Sequence, residues 1–293
     1  MVPSTDATSA DTTPERELQA PGAAREGALA QWLLERGRVA IGYSGGVDSA
    51  YLAVVARQTL GADNVLAITG RSASYPAAQW LAARQVATDF GVTVLELDTE
   101  ELADPRYAAN PSNRCYFCKT ELWSRVAPAA RARGFETIID GTNADDLADH
   151  RPGARAAAEH GIASPLATLG FTKREIRERS RAIGLPTWEQ PSSPCLSSRL
   201  PYGTSVTAER LQQVERAEAA LRALGITGDL RVRYHGDLAR VELPADQVPH
   251  WLSAAAAIGL RDAVTAAGFA RVAVDLRGFR SGSLNVLHGM QPA

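Results

Sequence analysis

The stretch that most constrains this chain is an apolar run, Val39, Ala40 and Ile41, that passes through Gly42 and Tyr43 into Ser44-Gly45-Gly46-Val47-Asp48-Ser49. An apolar run bounded by charge and glycine reads as a buried strand. The Ala/Leu-rich residues after Ser49 have helical spacing, so the polar hexapeptide falls in a strand-to-helix turn. In an α/β fold that turn is a place for an anion, because the first N–H groups of the helix lack partners and the helix dipole favours negative charge there. Gly45 and Gly46 let the backbone turn sharply, and Ser44 and Ser49 add hydroxyl donors. Asp48 would repel a phosphate, so its expected task is to hold a Mg²⁺ ion that bridges to the phosphates. The loop lacks the lysine that a Walker A loop carries after its last glycine. A Gly/Ser turn without a ligand is the plainer alternative.

The rest of the chain supplies the context this turn needs. A helix is expected over residues 23–36, then strands over 64–69, 92–97 and 137–140, with helices over 76–90 and 119–133 between them. Strands alternating with helices predict an α/β fold with a doubly wound, mostly parallel sheet, which binds ligands at the carboxyl ends of its strands. The hexapeptide, Gly70-Arg71-Ser72 and the stretch from Gly141 through Asn143 and Asp145 to Asp146 all fall at such ends. They can therefore meet around one nucleotide. For Asn143 and Asp145 the functional reading is contact with the nucleotide or its Mg²⁺, and the alternative is a helix N-cap.

Beyond this, Thr172 and Glu175 form a capping box that opens a helix over 172–183, and a Pro/Ser-rich loop over 190–199 follows. From Thr207 the pattern changes to a helix (208–224), strands (230–234 and 239–243), a helix (246–267) and a strand (272–276), a smaller α+β unit. The expected division is a tail over 1–22, a nucleotide-binding domain over 23–203 and a C-terminal domain over 204–293. The tail is polar and lacks the basic start and apolar centre of a secretory signal, so it reads as a solvated, disordered segment.

With 293 residues the chain can bury a large core, and a formal charge of −2 does not mark a global nucleic-acid binder. No apolar run approaches membrane-spanning length. Three cysteines, Cys115, Cys118 and Cys195, argue against a disulfide framework and for a reducing cytoplasm. Cys195 lies among Pro194, Ser197, Ser198 and Arg199. A guanidinium nearby would give its thiol thiolate character and make it a nucleophile, whereas an isolated cysteine often serves as a small buried hydrophobe. Cys115 and Cys118 form one Cys-x-x-Cys, open to reading as a metal pair, a redox pair or two inert thiols. Zinc wants four protein ligands and only Cys195 remains to join; three thiolates suit a [4Fe–4S] cluster with one open iron. Arg231, Arg233 and His235 alternate along a strand and share one face, which suits a phosphate or dicarboxylate, or else a solvated surface.

Taken together, residues 44–49, 113–119, 141–146, 194–199 and 231–233 resemble the LarE family of ATP-dependent sulfur transferases, within the PP-loop ATP pyrophosphatases. Residues 280–285 also resemble it, and the likeness spans roughly residues 25–290. The resemblance implies that ATP adenylylates a carboxylate of pyridinium-3,5-biscarboxylic acid mononucleotide, releasing pyrophosphate. Sulfur then displaces AMP to give a thiocarboxylate for a nickel-pincer nucleotide cofactor. It implies a nucleotide site at Ser44, Gly45, Gly46, Val47, Asp48, Ser49, Arg71, Ser72, Gly141, Asn143 and Asp145, with Mg²⁺ on Asp48. Substrate would lie on Arg231 and Arg233, and Cys195, Ser198 and Arg199 would act with Asp48 in catalysis. Family members with one cysteine give up the sulfur of the residue matching Cys195. Members with three bind a [4Fe–4S] cluster, and Cys115, Cys118 and Cys195 place this chain with them. A homo-oligomer is also implied. The rival readings are a tRNA thiolase or ammonia-dependent amide synthetase on the same fold, and a non-catalytic Fe–S or metal carrier.

Overall fold

A computed structural model describes residues 22–148, 152–191 and 193–280. The expected tail over 1–22 (apart from Gly22) and the family-like residues 281–285 lie outside the described residues. Four parallel strands, β1 (Val39–Gly42), β2 (Val65–Arg71), β3 (Val94–Asp98) and β4 (Thr137–Ile139), form a sheet in the order β3-β2-β1-β4. Val39 pairs with Val65 on one side and with Thr137 on the other, so the most apolar strand sits at the centre. The chain leaves β1 toward β2 and β3 and returns to the opposite edge for β4. The order therefore reverses between β1 and β4, and the crevice of a doubly wound sheet opens there.

Helices α1 (Ala23–Leu34), α2 (Val47–Leu60), α3 (Ala77–Asp89), α4 (Arg114–Arg131), α5 (Pro152–Glu159) and α6 (Lys173–Ala182) cover the sheet. Nearly every residue of α2 from Val47 to Ala56 is buried, because it is enclosed by the sheet, α1 and α6. A helix that is apolar on all sides must be placed this way. The capping box at α6 is present, with Thr172 and Glu175 bonded to each other's backbone.

A second sheet follows, order β5-β6-β7, from β5 (Arg231–His235), β6 (Leu238–Glu242) and β7 (Arg271–Val274). β5 and β6 are antiparallel and β6 and β7 parallel, with α7 (Ala208–Ala223) and α8 (Ala254–Ala266) packed against them. The core of this unit includes Tyr107, Leu196, Leu200 and Val206 from the stretches before it.

Two expected helices change. The helix expected from 119 begins at Arg114, since the Arg114 guanidinium is buried, donates to Asn110 Oδ1 at 2.6 Å and stacks on Tyr202. Cys115 and Cys118 thus lie in its first turns. The helix expected over 246–267 is broken. A single turn, Val248–Trp251, ends and Ser253, extended, caps a new helix at Ala254.

The segment between β3 and α4 cradles the 195–206 loop. Asn110, fully buried and left-handed at φ 55, donates through Nδ2 to the carbonyls of Pro201 at 2.8 Å and Thr204 at 3.0 Å. Asparagine tolerates that backbone better than most residues. Asn110→Ala strands these carbonyls and strains the backbone, and urea unfolding is expected to show a loss of about 2–3 kcal/mol.

Candidate nucleotide and sulfur-transfer site

The turn after β1 is built to leave helix N–H groups open. Gly46 caps α2 in an extended conformation and offers no side chain to the first turn. The two serines close the loop on itself: Ser49 Oγ accepts from the Ser44 N–H at 3.2 Å and lies 3.2 Å from Ser44 Oγ. Gly45 takes φ 67, and a Cβ there would stand 2.2 Å from the Ala83 methyl of α3. Gly141, at the end of β4, lies so close that a Cβ would come within 2.9 Å of the Ser49 nitrogen. The β1 and β4 turns thus meet at one helix N-terminus, as the crevice requires.

Asp48 is oriented by a residue that sequence reading missed. Lys173, first residue of α6, donates a short hydrogen bond through Nζ to Asp48 Oδ2. Asp48 Oδ1 is buried and has no partner among the described residues. An orphaned carboxylate oxygen beside an anion-binding turn fits a divalent cation, so Asp48 would hold Mg²⁺, whose charge would neutralise a bound pyrophosphate. The side chains of Asn143 and Asp145 are taken up nearby. Asn143 Oδ1 accepts from the N–H groups of Asp145 and Asp146, while Asp145 Oδ2 accepts from the Lys173 N–H at 2.7 Å. Through this cap Asp145 places Lys173. Arg71 is turned to Trp80, 4.8 Å from its ring centroid, and to Glu96. Ser72 bonds to Ser74 at 2.8 Å.

One short segment joins this turn to Cys195. Tyr75 Oη and Gln79 Nε2 both donate to the Ser44 carbonyl, at 2.9 and 3.2 Å. The adjacent Ser74 carbonyl accepts from the Leu196 N–H at 2.8 Å. Cys195 caps a single 3-10 turn, Leu196–Arg199. The Arg199 guanidinium, expected to face the thiol, is 2 % exposed and holds the loop instead: it donates to the carbonyls of Pro194 and Cys195, to Ser198 Oγ, and in bidentate fashion to Glu218. Glu218 also accepts from the Val232 N–H at 3.0 Å, tying the loop to β5.

Arg231 and Arg233 share the face of β5 opposite the buried Val232, as the alternation predicts, but that face is not solvated: they are 5 % and 6 % exposed. Arg233 pairs with Glu242, itself fully buried and also bonded to Arg240, and donates to the Ser198 carbonyl at 2.9 Å. Burial, reinforced by neighbouring Arg199, pushes Arg231 down to about 10, still cationic at neutral pH. His235, third in the row, is pushed down by burial and by Arg240.

The three thiols stand at three depths: Cys115 is exposed, and Cys118 and Cys195 are half-buried. Burial, then the carboxylate of Glu101 and the Cys195 thiol, push Cys118 up. Cys115 also acts on it, so Cys118 senses both other thiols. The all-sulfur donor set suits a cluster, but among the described residues no three His, Cys, Asp or Glu side chains are gathered as ligands of one ion. As arranged here the thiols do not form a cluster cradle. Nor, among the described residues, is any helix long and apolar enough to cross a membrane.

A parallel sheet reversing at β1 and β4, with this turn at the reversal, defines an ATP-utilising protein of the PP-loop class. In agreement, the NAD synthase family pattern matches residues 30–131. The chain is 46% identical over 257 residues to the Synechocystis sp. protein slr1717, covering 88% of this chain and 95% of that one. It is 34% identical over 263 residues to the pyridinium-3,5-bisthiocarboxylic acid mononucleotide synthase of Lactiplantibacillus plantarum, covering 90% of this chain and 94% of the relative. The Methanocaldococcus jannaschii protein MJ0830 is 27% identical over 209 residues. The chain belongs to the LarE family.

Two outcomes follow from this geometry. Gly45→Ala forces a methyl against Ala83 at positive φ, and calorimetry is expected to show ATP affinity reduced by at least about tenfold, with about 2 kcal/mol of stability lost. Because Cys118 stays protonated above the ordinary thiol range, iodoacetamide at pH 8 is expected to alkylate Cys115 first and Cys118 last, read by mass spectrometry. The stability gained by burying this neutral thiol is present below the ordinary thiol pKa. It is lost as pH rises beyond that value toward the raised one.

Proposed function

We propose that this chain is an ATP-dependent sulfur insertase that converts a carboxylate of pyridinium-3,5-biscarboxylic acid mononucleotide into a thiocarboxylate. The observation that carries the reading is the four-residue bridge, Ser72 to Tyr75, that joins a pyrophosphate-type turn to a cysteine loop. The L. plantarum relative, whose name states a bisthiocarboxylic product, supports the same chemistry.

In this reading the open N-terminus of α2, with Ser44, Gly45, Gly46, Val47 and Ser49, takes the β and γ phosphates. Gly141 bounds the pocket, Asp48 would hold Mg²⁺, which would offset the charge of the phosphates, and Lys173, beside Asp48, supplies a cation for the leaving pyrophosphate. Arg71, Ser72, Asn143 and Asp145 shape the walls around the nucleotide. A substrate carboxylate oxygen attacks the α phosphorus, and pyrophosphate leaves with the electron pair. Arg231 and Arg233 hold the substrate phosphate beside Ser198. The Cys195 sulfur, having given up its proton, bonds to the activated carbonyl carbon, and the bond to AMP breaks. Loss of the Cys195 α proton then cleaves its Cβ–S bond, leaving the sulfur on the product and dehydroalanine in the chain. Ser198 and Arg199 fix the loop for this attack. The division at 203/204 puts ATP chemistry in the first unit and substrate binding in the second, in a cytoplasmic homo-oligomer.

A second sulfur source is favoured by one observation: Cys118, one turn after Cys115 on α4, packs against the core that contains Leu196, the neighbour of Cys195. If these thiols close around a [4Fe–4S] cluster, Cys195 would survive turnover. No step is written through that group, and iron and acid-labile sulfide in anaerobically reconstituted protein separate the two sources. Bound iron lost on Cys115→Ala assigns the cluster; no iron, with dehydroalanine at 195, assigns the sacrificial route.

The reading itself is tested with Cys195→Ala. Substrate-dependent exchange of pyrophosphate into ATP is expected to stay within about twofold of wild type while thiocarboxylate falls below detection, since adenylylation precedes the sulfur step. Exchange driven by tRNA in place of the pyridinium nucleotide, or ammonia-dependent amide formation in place of thiocarboxylate, would overturn it.

A further inference from the structure

Two polar atoms of the second sheet are buried without a hydrogen-bond partner: His235 Nε2 on β5 and Arg240 Nε on β6. They belong to one face. Arg233 stands directly opposite Arg240 and Arg231 opposite Glu242, so residues 231, 233, 235, 240 and 242 lie on the same side of the sheet. Val232, Ala239 and Val241 take the other side, in the core. His235 is the diagonal neighbour of Arg240, a spacing that long side chains bridge.

The rest of this face is engaged. Arg233 gives its Nε and one terminal nitrogen to Glu242 and the other terminal nitrogen to the Ser198 carbonyl. Arg240 gives one terminal nitrogen to Glu242 Oε1 at 2.8 Å, which leaves its Nε–H unused. A buried donor without an acceptor is costly, and more so on a charged group, so two on one face point to an acceptor that arrives from outside. Burial and the Arg240 charge push His235 down, so its ring is neutral at neutral pH. With the one proton on Nε2, it is a second donor beside Arg240. Two donors, one of them permanently charged, suit an oxyanion. Arg240 keeps 20 % of its side chain exposed and His235 is half-buried, so an incoming group reaches both from the solvent side.

We propose that His235 and Arg240 form a second oxyanion subsite of the substrate pocket, one strand step beyond Arg233. The proposal rests on the sulfur-insertase reading for the identity of the ligand and on the two unpartnered nitrogens for the site. The substrate of that reading carries three anionic groups, a phosphate and two carboxylates. Arg231 and Arg233 take one and ATP activates another, which leaves a third for this subsite.

The test uses the full chain with Arg240→Lys, His235→Leu and His235→Gln. Arg240→Lys keeps a cation beside Glu242 and removes the Nε donor, so it serves even if a His235 variant fails to fold. His235→Gln keeps a side-chain N–H near the place of Nε2. Binding of pyridinium-3,5-biscarboxylic acid mononucleotide is measured by calorimetry, and its KM and kcat by ATP–pyrophosphate exchange. Arg240→Lys and His235→Leu are each expected to raise Kd and KM about tenfold, the size of one lost charge-assisted bond, with kcat changed less than about threefold. His235→Gln should recover most of the loss. The same titrations with pyridinium-3-carboxylic acid mononucleotide, which keeps the phosphate and one carboxylate, identify the group. A loss confined to the dicarboxylate assigns the second carboxylate to the subsite, and a loss with both ligands assigns the phosphate. Variants that bind like wild type, or that lose kcat at unchanged KM, would overturn the proposal. In wild type the His235 ring C–H signal, identified by its loss in His235→Leu, is also expected to move downfield when inorganic phosphate or pyridine-3,5-dicarboxylate is added. If wild type binds no pyridinium nucleotide, the sulfur-insertase reading fails instead, and this signal decides the subsite: unmoved by both anions, it overturns it.

Discussion

The arrangement depends on two backbones approaching more closely than side chains allow. A Cβ on Gly141 would stand 2.9 Å from the Ser49 nitrogen, and one on Gly45 would overlap the Ala83 methyl. Real Cβ contacts essentially never come so close, so glycine at both positions is a condition of the site rather than a preference. Because the turns after β1 and β4 lie against each other, the first N–H groups of α2 face the crevice created by the strand order. The apolar face of α2 is buried on every side, which anchors that N-terminus against motion when an anion arrives.

Electrostatics then explains how the turn tolerates its own carboxylate. Asp48 sits in the first turn of α2, where the helix dipole favours a negative charge, and Lys173 neutralises it from the start of α6. One amine and one carboxylate thereby balance each other at the mouth of the crevice. The same logic recurs at the second unit on a larger scale. Glu242, fully buried, offsets Arg233 and Arg240, so that cationic residues can be kept near the Cys195 loop at low exposure. Removing that carboxylate would leave guanidinium charge uncompensated at depth, which is far more costly than losing a surface pair.

The parts legible in the sequence are those governed by local backbone rules. A strand, a glycine turn and an apolar helix have period and composition, and so the parallel sheet and the loop at its reversal could be read directly. Lys173 could not: beside Arg174 and Glu175 it reads as a charged helix surface, and only the fold carries it 125 positions back to Asp48. The start of α4 at Arg114 was hidden for a related reason, since that turn is held by Asn110 and Tyr202 rather than by propensity. Arg199 shows the converse. Adjacency in sequence suggested a guanidinium on the thiol, but Glu218, nineteen residues on, accepts both of its forked bonds.

The depth of each thiol is the last consequence of that packing. Cys118 is driven toward the neutral form by the same core that buries Tyr107 and Leu196, and Glu101 adds a like-charge penalty against its thiolate. Cys115, one helical turn earlier on α4, faces outward, and Cys195 opens the turn that Arg199 and Ser74 hold. A nucleophile that attacks an adenylate must be both reachable and aimed. Cys195 lies next to Leu196, whose backbone N–H is tied to the segment that grips the Ser44 carbonyl. That shared segment makes loop placement and nucleotide-turn geometry a single mechanical unit, so displacing either one displaces the other.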